Sequence, residues 1–88
     1  MGYFAAFLHM LDVEKNKDVL PRHIQYLDEL DAKGKIFARG PFTDKSGGLV
    51  VYVADSFEEA NALALKDPHV VEESRELEMK EWKILVKD

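Results

Sequence analysis

From Tyr3 to Met10 every residue but His9 is aromatic or aliphatic. A run this short makes no stable isolated helix, and with so little polar relief it reads as a central strand covered on both faces. Two later segments share the property. Leu49, Val51 and Val53 oppose Val50 and Tyr52, and Trp82, Ile84 and Val86 oppose Leu77, Met79 and Leu85. The two helices expected between the strands cover only one face of such a sheet. The other face would expose more apolar surface than soluble monomers tolerate, so a second copy of the chain is the expected cover, giving a face-to-face homodimer.

The segments between the strands are legible from their punctuation. Asp12 to Lys17 is charged and contains Asn16, which predicts a loop, with Asp18 capping a helix that carries Pro21 in its first turn. Leu20, Ile24, Leu27 and Leu30 then recur at helical spacing until Gly34. Lys35 to Arg39 predicts a short edge strand stopped by Gly40-Pro41, and Asp44 to Gly48 is turn chemistry leading into a Val-rich strand over 49–54. Ser56 and Glu59 form a capping box for a second helix that ends at Asp67-Pro68. Residues 68–76 fit either a loop or a further helical turn, and residues 77–86 fit a final strand. The order strand, helix, strand, strand, helix, strand predicts an α+β, ferredoxin-like βαββαβ fold with a four-stranded antiparallel sheet. That topology gathers the region of His23, the Gly40 to Gly48 loop and the Asp67-Pro68 corner at one end of the sheet.

With 88 residues the chain is expected to be one domain, spanning 1–88. It has no cysteine, which removes disulfides, thiolate chemistry and cysteine-based zinc sites. A formal charge of -5 offers no basic footprint for nucleic acid or for an anionic membrane surface, so neither is an expected partner. The apolar run at 3–11 is too short to span a bilayer and has no cationic segment before it, and Ala6 breaks the myristoylation pattern. The expected location is the cytoplasm.

His23 borders the apolar stripe of the first helix, where an imidazole can serve as a general base or acid, or simply be satisfied by a loop carbonyl. Asp67 and Asp44 both fall where the topology would let them orient its ring, although each also has an ordinary turn role. Arg22, Arg39 and Lys45 lie toward the same end as candidates for binding a carboxylate or phenolate. Gly40, Pro41 and Phe42 would line or cap the pocket. His9, His23 and His69 all fall toward that end, yet no pair has the close spacing of a strong metal motif, so no metal or other cofactor is expected. No phosphate-binding glycine pattern and no serine elbow is present.

Taken together, Pro21-Arg22-His23, Tyr26-Leu27, Gly34, Gly40-Pro41-Phe42, Asp44, Gly47-Gly48, Glu58-Glu59-Ala60, Asp67-Pro68 and Trp82 give the chain a pattern that resembles the YciI-like (YCII-related) family along essentially its whole length. The resemblance implies a dimeric α/β barrel in which ferredoxin-like protomers pack sheet to sheet. It also implies a site centred on a histidine and an aspartate, and a relative that acts as a dehydrochlorinase on a chlorinated hydroxyquinol. Matched residue by residue, His23 takes the histidine role, with Asp67 the preferred aspartate and Asp44 the second. The wider group includes monooxygenases and lactone isomerases, so the barrel alone selects no reaction. The expectation is a small cofactor-independent enzyme for proton transfer or elimination on an aromatic or carbonyl compound; the alternative is a non-catalytic dimeric module that binds a small ligand or serves in assembly.

Overall fold

The apolar run at the start of the chain forms β1 (Gly2–Met10) and lies inside the sheet, hydrogen-bonded on both sides. The computed structural model describes residues 1–87. After β1 come α1 (Val13–Ala32), β2 (Ile36–Pro41), β3 (Gly47–Ala54), α2 (Phe57–Leu65), a one-turn helix α3 (Pro68–Val71) and β4 (Arg75–Trp82). The sheet order is β2-β3-β1-β4 and every neighbouring pair is antiparallel. This is the ferredoxin-like βαββαβ arrangement, with α3 inserted before the last strand.

Parity along the strands divides the side chains. Phe4, Ala6 and Leu8 of β1 and Val50, Tyr52 and Ala54 of β3 pack against Leu27 and Leu30 of α1 and Ala60 and Ala64 of α2. The small alanines let α2 lie close to the sheet. Leu77 and Met79 of β4 pack on the margin of the same core. Across the sheet, Tyr3, Ala5 and Phe7 stand opposite Val53, Val51 and Leu49. Among the described residues no helix covers that second face. Its edges are exposed at Phe37 and Trp82, and Phe37 packs edge-on against Tyr3 with ring centroids 5.0 Å apart.

Several boundaries differ from the sequence reading, the start of β3 at Gly47 and not Leu49 among them. The first helix begins at Val13, with Asp12 as its cap accepting a hydrogen bond from Lys15 N at 3.0 Å, so Asp18 and Pro21 both lie inside the helix. Its first turns are solvent-facing and polar, and their lack of apolar periodicity imitates a loop. The last strand starts at Arg75 and ends at Trp82, which leaves Ile84, Leu85 and Val86 beyond the sheet and gives its open face the charged Glu78 and Lys80. β2 extends through Pro41, which pairs with Gly48. Proline is tolerated there because an edge strand has a side that needs no donor.

Where β3 begins, the backbone of Gly47 runs against β1. Its φ is +140°, and a Cβ there would lie 1.8 Å from the Leu8 carbonyl oxygen. Gly47→Ala is expected to destabilise the fold by about 3 kcal/mol, from strain plus the forced separation of two strands. Gly34→Ala, at φ +73° with nothing within 4 Å, should cost only about 1 kcal/mol. Urea denaturation of the two variants measures the difference; equal midpoints would contradict this packing.

Candidate functional site

His23 occupies the buried stripe of α1 together with Val19, Leu27 and Leu30. Its partner comes from the other side of the helical layer. After α2 ends at Leu65, Asp67 caps α3, and its side chain is completely buried. One carboxylate oxygen, Oδ1, takes both the backbone N–H of His69 at 2.9 Å and Nδ1 of His23 at 2.7 Å. The capping bond therefore aims the carboxylate that holds the histidine. Tyr26, one helical turn beyond His23, donates its hydroxyl to the Leu63 carbonyl at 2.6 Å and locks α1 against α2 at the same level. Burial, with the nearby Asp67 charge as a lesser cause, pushes its pKa up to about 12. The same two causes, with Tyr26 a further one, raise Tyr52 well beyond its ordinary range.

His69 forms a second layer. Its ring is fully buried, tilted 41° against that of His23 with centroids 4.2 Å apart, and its Nδ1 lies 2.7 Å from Ser74 Oγ. Ser74 in turn donates to the His69 carbonyl at 3.2 Å. Its own carbonyl accepts the N–H groups of Leu11 and Asp12, tying the start of β4 to the start of α1. Burial, followed by repulsion from His23 and Arg75 and opposed by Asp67, lowers the His69 pKa to about 4.

His23 looks into a cavity of about 320 Å³ at the predicted end of the sheet. Leu8, Leu20, Ile24, Leu27 and Val50 form its apolar walls, the strand segment 39–41 and Leu49 its outer side, and Arg75 its remaining polar border. His23 lines this space with Nδ1 bound to Asp67, which leaves Nε2 as the ring nitrogen free of that bond. A base or acid fixed on one side and free on the other is suited to proton transfer at the cavity wall.

Of the residues singled out from the sequence, the structure brings His23, Asp67, Gly40 and Pro41 together. Asp44 does not join them. It is fully exposed and accepts the Ser46 N–H at 2.9 Å within its own turn; hydrogen bonding from Ser46, its hydroxyl first and its backbone N–H second, lowers its pKa. Arg22 points instead to Glu72 at 3.5 Å, and Lys45 takes a positive φ of 66° in the turn. Neither lines the cavity, and Phe42 borders a shallower depression on the outer side of 38–41. Arg39 does line the cavity but is held by Asp28 at 2.6 Å and Asp31 at 3.3 Å. His9 is paired with Glu78 at 2.8 Å on the exposed side, and among the described residues no group of three metal-ligating side chains converges.

Sequence reasoning missed Ser74, Arg75 and Asn16, and considered His69 only as a metal ligand. Asp67 followed by Pro68 is a cap followed by a first-turn proline. Read that way, it marks a new helix and places His69 inside it. Arg75 was hidden by starting the last strand at Leu77. Its side chain is 7% exposed, and Nε donates to Asn16 Oδ1 at 2.8 Å. It crosses β1 to reach β3, where its Nη1 lies 3.1 Å from the position a Cβ on Gly48 would take.

These features, an open antiparallel sheet under two helices with a histidine–aspartate pair beside an apolar cavity, define a small ferredoxin-like protein with a pocket at one end of the sheet. The chain belongs to the YCII-related domain family, whose sequence profile matches residues 3–83. It is 39% identical over 82 residues to the Bacillus subtilis (strain 168) protein named Uncharacterized protein YjpA, spanning 93% of this chain and 96% of that one. Its structure is similar to that of 5-chloro-2-hydroxyhydroquinone dehydrochlorinase (TftG) from Burkholderia phenoliruptrix AC1100 in complex with 2,5-dihydroxybenzoquinone. The TM-score is 0.78, with 92% of this chain and 93% of that chain covered, at 22% identity. At that identity the likeness is one of fold.

The His69 ring generates a pH dependence. Unfolded, it takes up a proton near pH 6.5; folded, it resists until about pH 4. Its contribution is therefore complete above pH 6.5 and is lost as the pH falls toward 4, by on the order of 2 kcal/mol. Denaturation midpoints measured from pH 7 to 4 should fall along this limb, and His69→Phe should flatten it. An identical acid limb in the variant would show that other groups cause it.

Proposed function

We propose that the chain is a small acid–base enzyme, working without a cofactor, that transfers a proton within, or eliminates a group from, a compact aromatic or carbonyl compound bound in the 320 Å³ cavity. The observation that carries this reading is the buried His23–Asp67 pair, 2.7 Å apart, whose His23 lines that cavity. With Asp67 as a carboxylate, which can only accept, the hydrogen on this side of the ring sits on Nδ1 and Nε2 keeps a lone pair. Nε2 takes a proton from a C–H or O–H of the bound molecule, and Asp67 stabilises the imidazolium that results. The electron pair left behind moves into the carbonyl or ring. In an isomerisation the proton returns at another atom; in an elimination the pair expels the leaving group, and the imidazolium passes its proton to the departing group or to water. The fold relative named above is a dehydrochlorinase of a chlorinated hydroxyhydroquinone, and it motivates the choice of test compounds.

The working unit in this reading is a homodimer through the open sheet face. Ala5 and Val51, at the centre of that face, are already buried by their neighbours, and around them Tyr3, Phe7, Leu49 and Val53 are half-covered while Phe37 and Trp82 are exposed. Burying that apolar surface against its own copy removes it from water at roughly 25 cal/mol per Å². Sedimentation should report twice the 10.1 kDa of the chain, and Phe7→Lys should return it to the single mass. A wild-type chain that stays at the single mass at micromolar concentration would refute the dimer.

Catalysis is tested by deuterium exchange and halide release across a panel of enolisable carbonyl compounds and halogenated hydroquinones. His23→Asn should lower the rate of any compound turned over by about 10²- to 10⁴-fold. Asp67→Asn should lower kcat while leaving KM within about threefold, because it removes ring orientation and not contact with the substrate. Turnover indifferent to His23→Asn would overturn the reading.

A further inference from the structure

We propose that Arg75 makes the cavity an anion site, which takes the carboxylate or ring-bound oxygen anion of a small, planar, otherwise apolar molecule; this rests on reading the cavity as the substrate pocket. Two cations border the cavity, and they differ in what they already hold. Arg39 is spent on Asp28 and Asp31. Arg75 is buried, yet among the described residues it is paired with no carboxylate, and its one side-chain hydrogen bond is from Nε to Asn16 Oδ1. A guanidinium has five N–H donors in a planar fork, so the two terminal nitrogens retain theirs. A charge removed from water without a counter-charge is costly, and a fork held at Nε with its outer edge free is the geometry that grips a carboxylate or phenolate oxygen.

The surroundings point the same way. Burial disfavours the charged guanidinium and the nearby Asp67 charge opposes that, yet the two form no ion pair: Asp67 Oδ1 is engaged by His23 and His69, and Oδ2 has no hydrogen-bond partner among the described residues. The absence of a side chain at Gly48 admits Nη1 beside the 40–41 rim. Opposite lie Leu20, Ile24 and Leu27, which suit an apolar body and offer no competing charge. The volume accommodates a single ring with short substituents. The chain as a whole carries a formal charge of -5, so an anion is drawn to this place by a local cation and not by the overall field. An acidic group seated on Arg75 would leave the remainder of the molecule against Nε2 of His23, a two-point hold that sets which atom meets the base.

Benzoate and its neutral counterpart benzyl alcohol test the proposal by calorimetry on the full wild-type chain, with the Arg75 Nε–Hε resonance followed by NMR. Benzoate should bind about 10- to 100-fold more tightly than benzyl alcohol and shift that resonance, which benzyl alcohol leaves in place. Arg75→Gln should abolish the preference, and Arg39→Gln should change it by less than about threefold. If Arg75→Gln does not fold, the wild-type resonance and Asn16→Ala, which frees the fork, decide. The resonance must move with benzoate, and the preference must weaken in Asn16→Ala. Equal affinity for the two probes, or a preference that survives in Arg75→Gln, would overturn the anion site. Because binding is read without turnover, the site stands or falls apart from the catalytic reading: His23-dependent turnover of a neutral compound, unaffected by Arg75→Gln, would remove the anion site and leave the enzyme.

Discussion

A single buried oxygen, Oδ1 of Asp67, carries much of what gives this protein a site. It accepts the N–H of His69 and so starts α3, a helix of one turn too short to stand without a cap. It also accepts from His23 and so joins α1 to the corner after α2. These donors replace hydration at Oδ1 alone, since Oδ2 is buried with no hydrogen-bond partner among the described residues. The two bonds thus maintain each other: the cap orients the acid, and the oriented acid fixes the imidazole. Tyr26 and Ser74 secure the same corner from either side, the first by bonding α1 to α2 and the second by bonding the head of β4 to the β1–α1 junction.

The sheet supplies the frame in which that corner becomes a pocket. Antiparallel pairing of β1 with both β3 and β4 sets the end of β2 and the beginning of β4 on either side of the His23 side chain. Glycines at 47 and 48 do separate jobs there, one letting β3 approach β1 and the other leaving room for the Arg75 fork. Charge is then distributed with economy. Most ion pairs lie on the surface, where each contributes little, whereas the His23–Asp67 pair beside the cavity is buried.

The order of elements, the edge position of β2 and the Ser56 cap were legible in the sequence because each depends on local signals that the fold respects. Ser56 accepts from Glu59 N at 3.1 Å, and the apolar parity of β1 and β3 divides between the two faces as its period of two requires. What was illegible has a common physical origin. The start of α1 is polar because it faces water, and polarity without period looks like a loop; only the Asp12 cap betrays it. Asp44 and Asp67 have similar turn signatures in sequence, and what separates them is burial, which belongs to the tertiary structure. Arg75 is a long, flexible residue whose function depends on where its far end arrives, two strands away from its backbone. No spacing rule reports that.

Asp67, His69, Ser74 and Arg75 all fall within the stretch 67–75, between the last core turn of α2 and the first rung of β4. The sheet and the long helix contribute shape and, of the polar groups, His23, Asn16 and Arg39. The polar side chains of the site are therefore concentrated in one short cassette, and because Asp67 and Ser74 also tie that cassette to α1 and the β1–α1 junction, a change in its chemistry is at the same time a change in how the helices and sheet are held together.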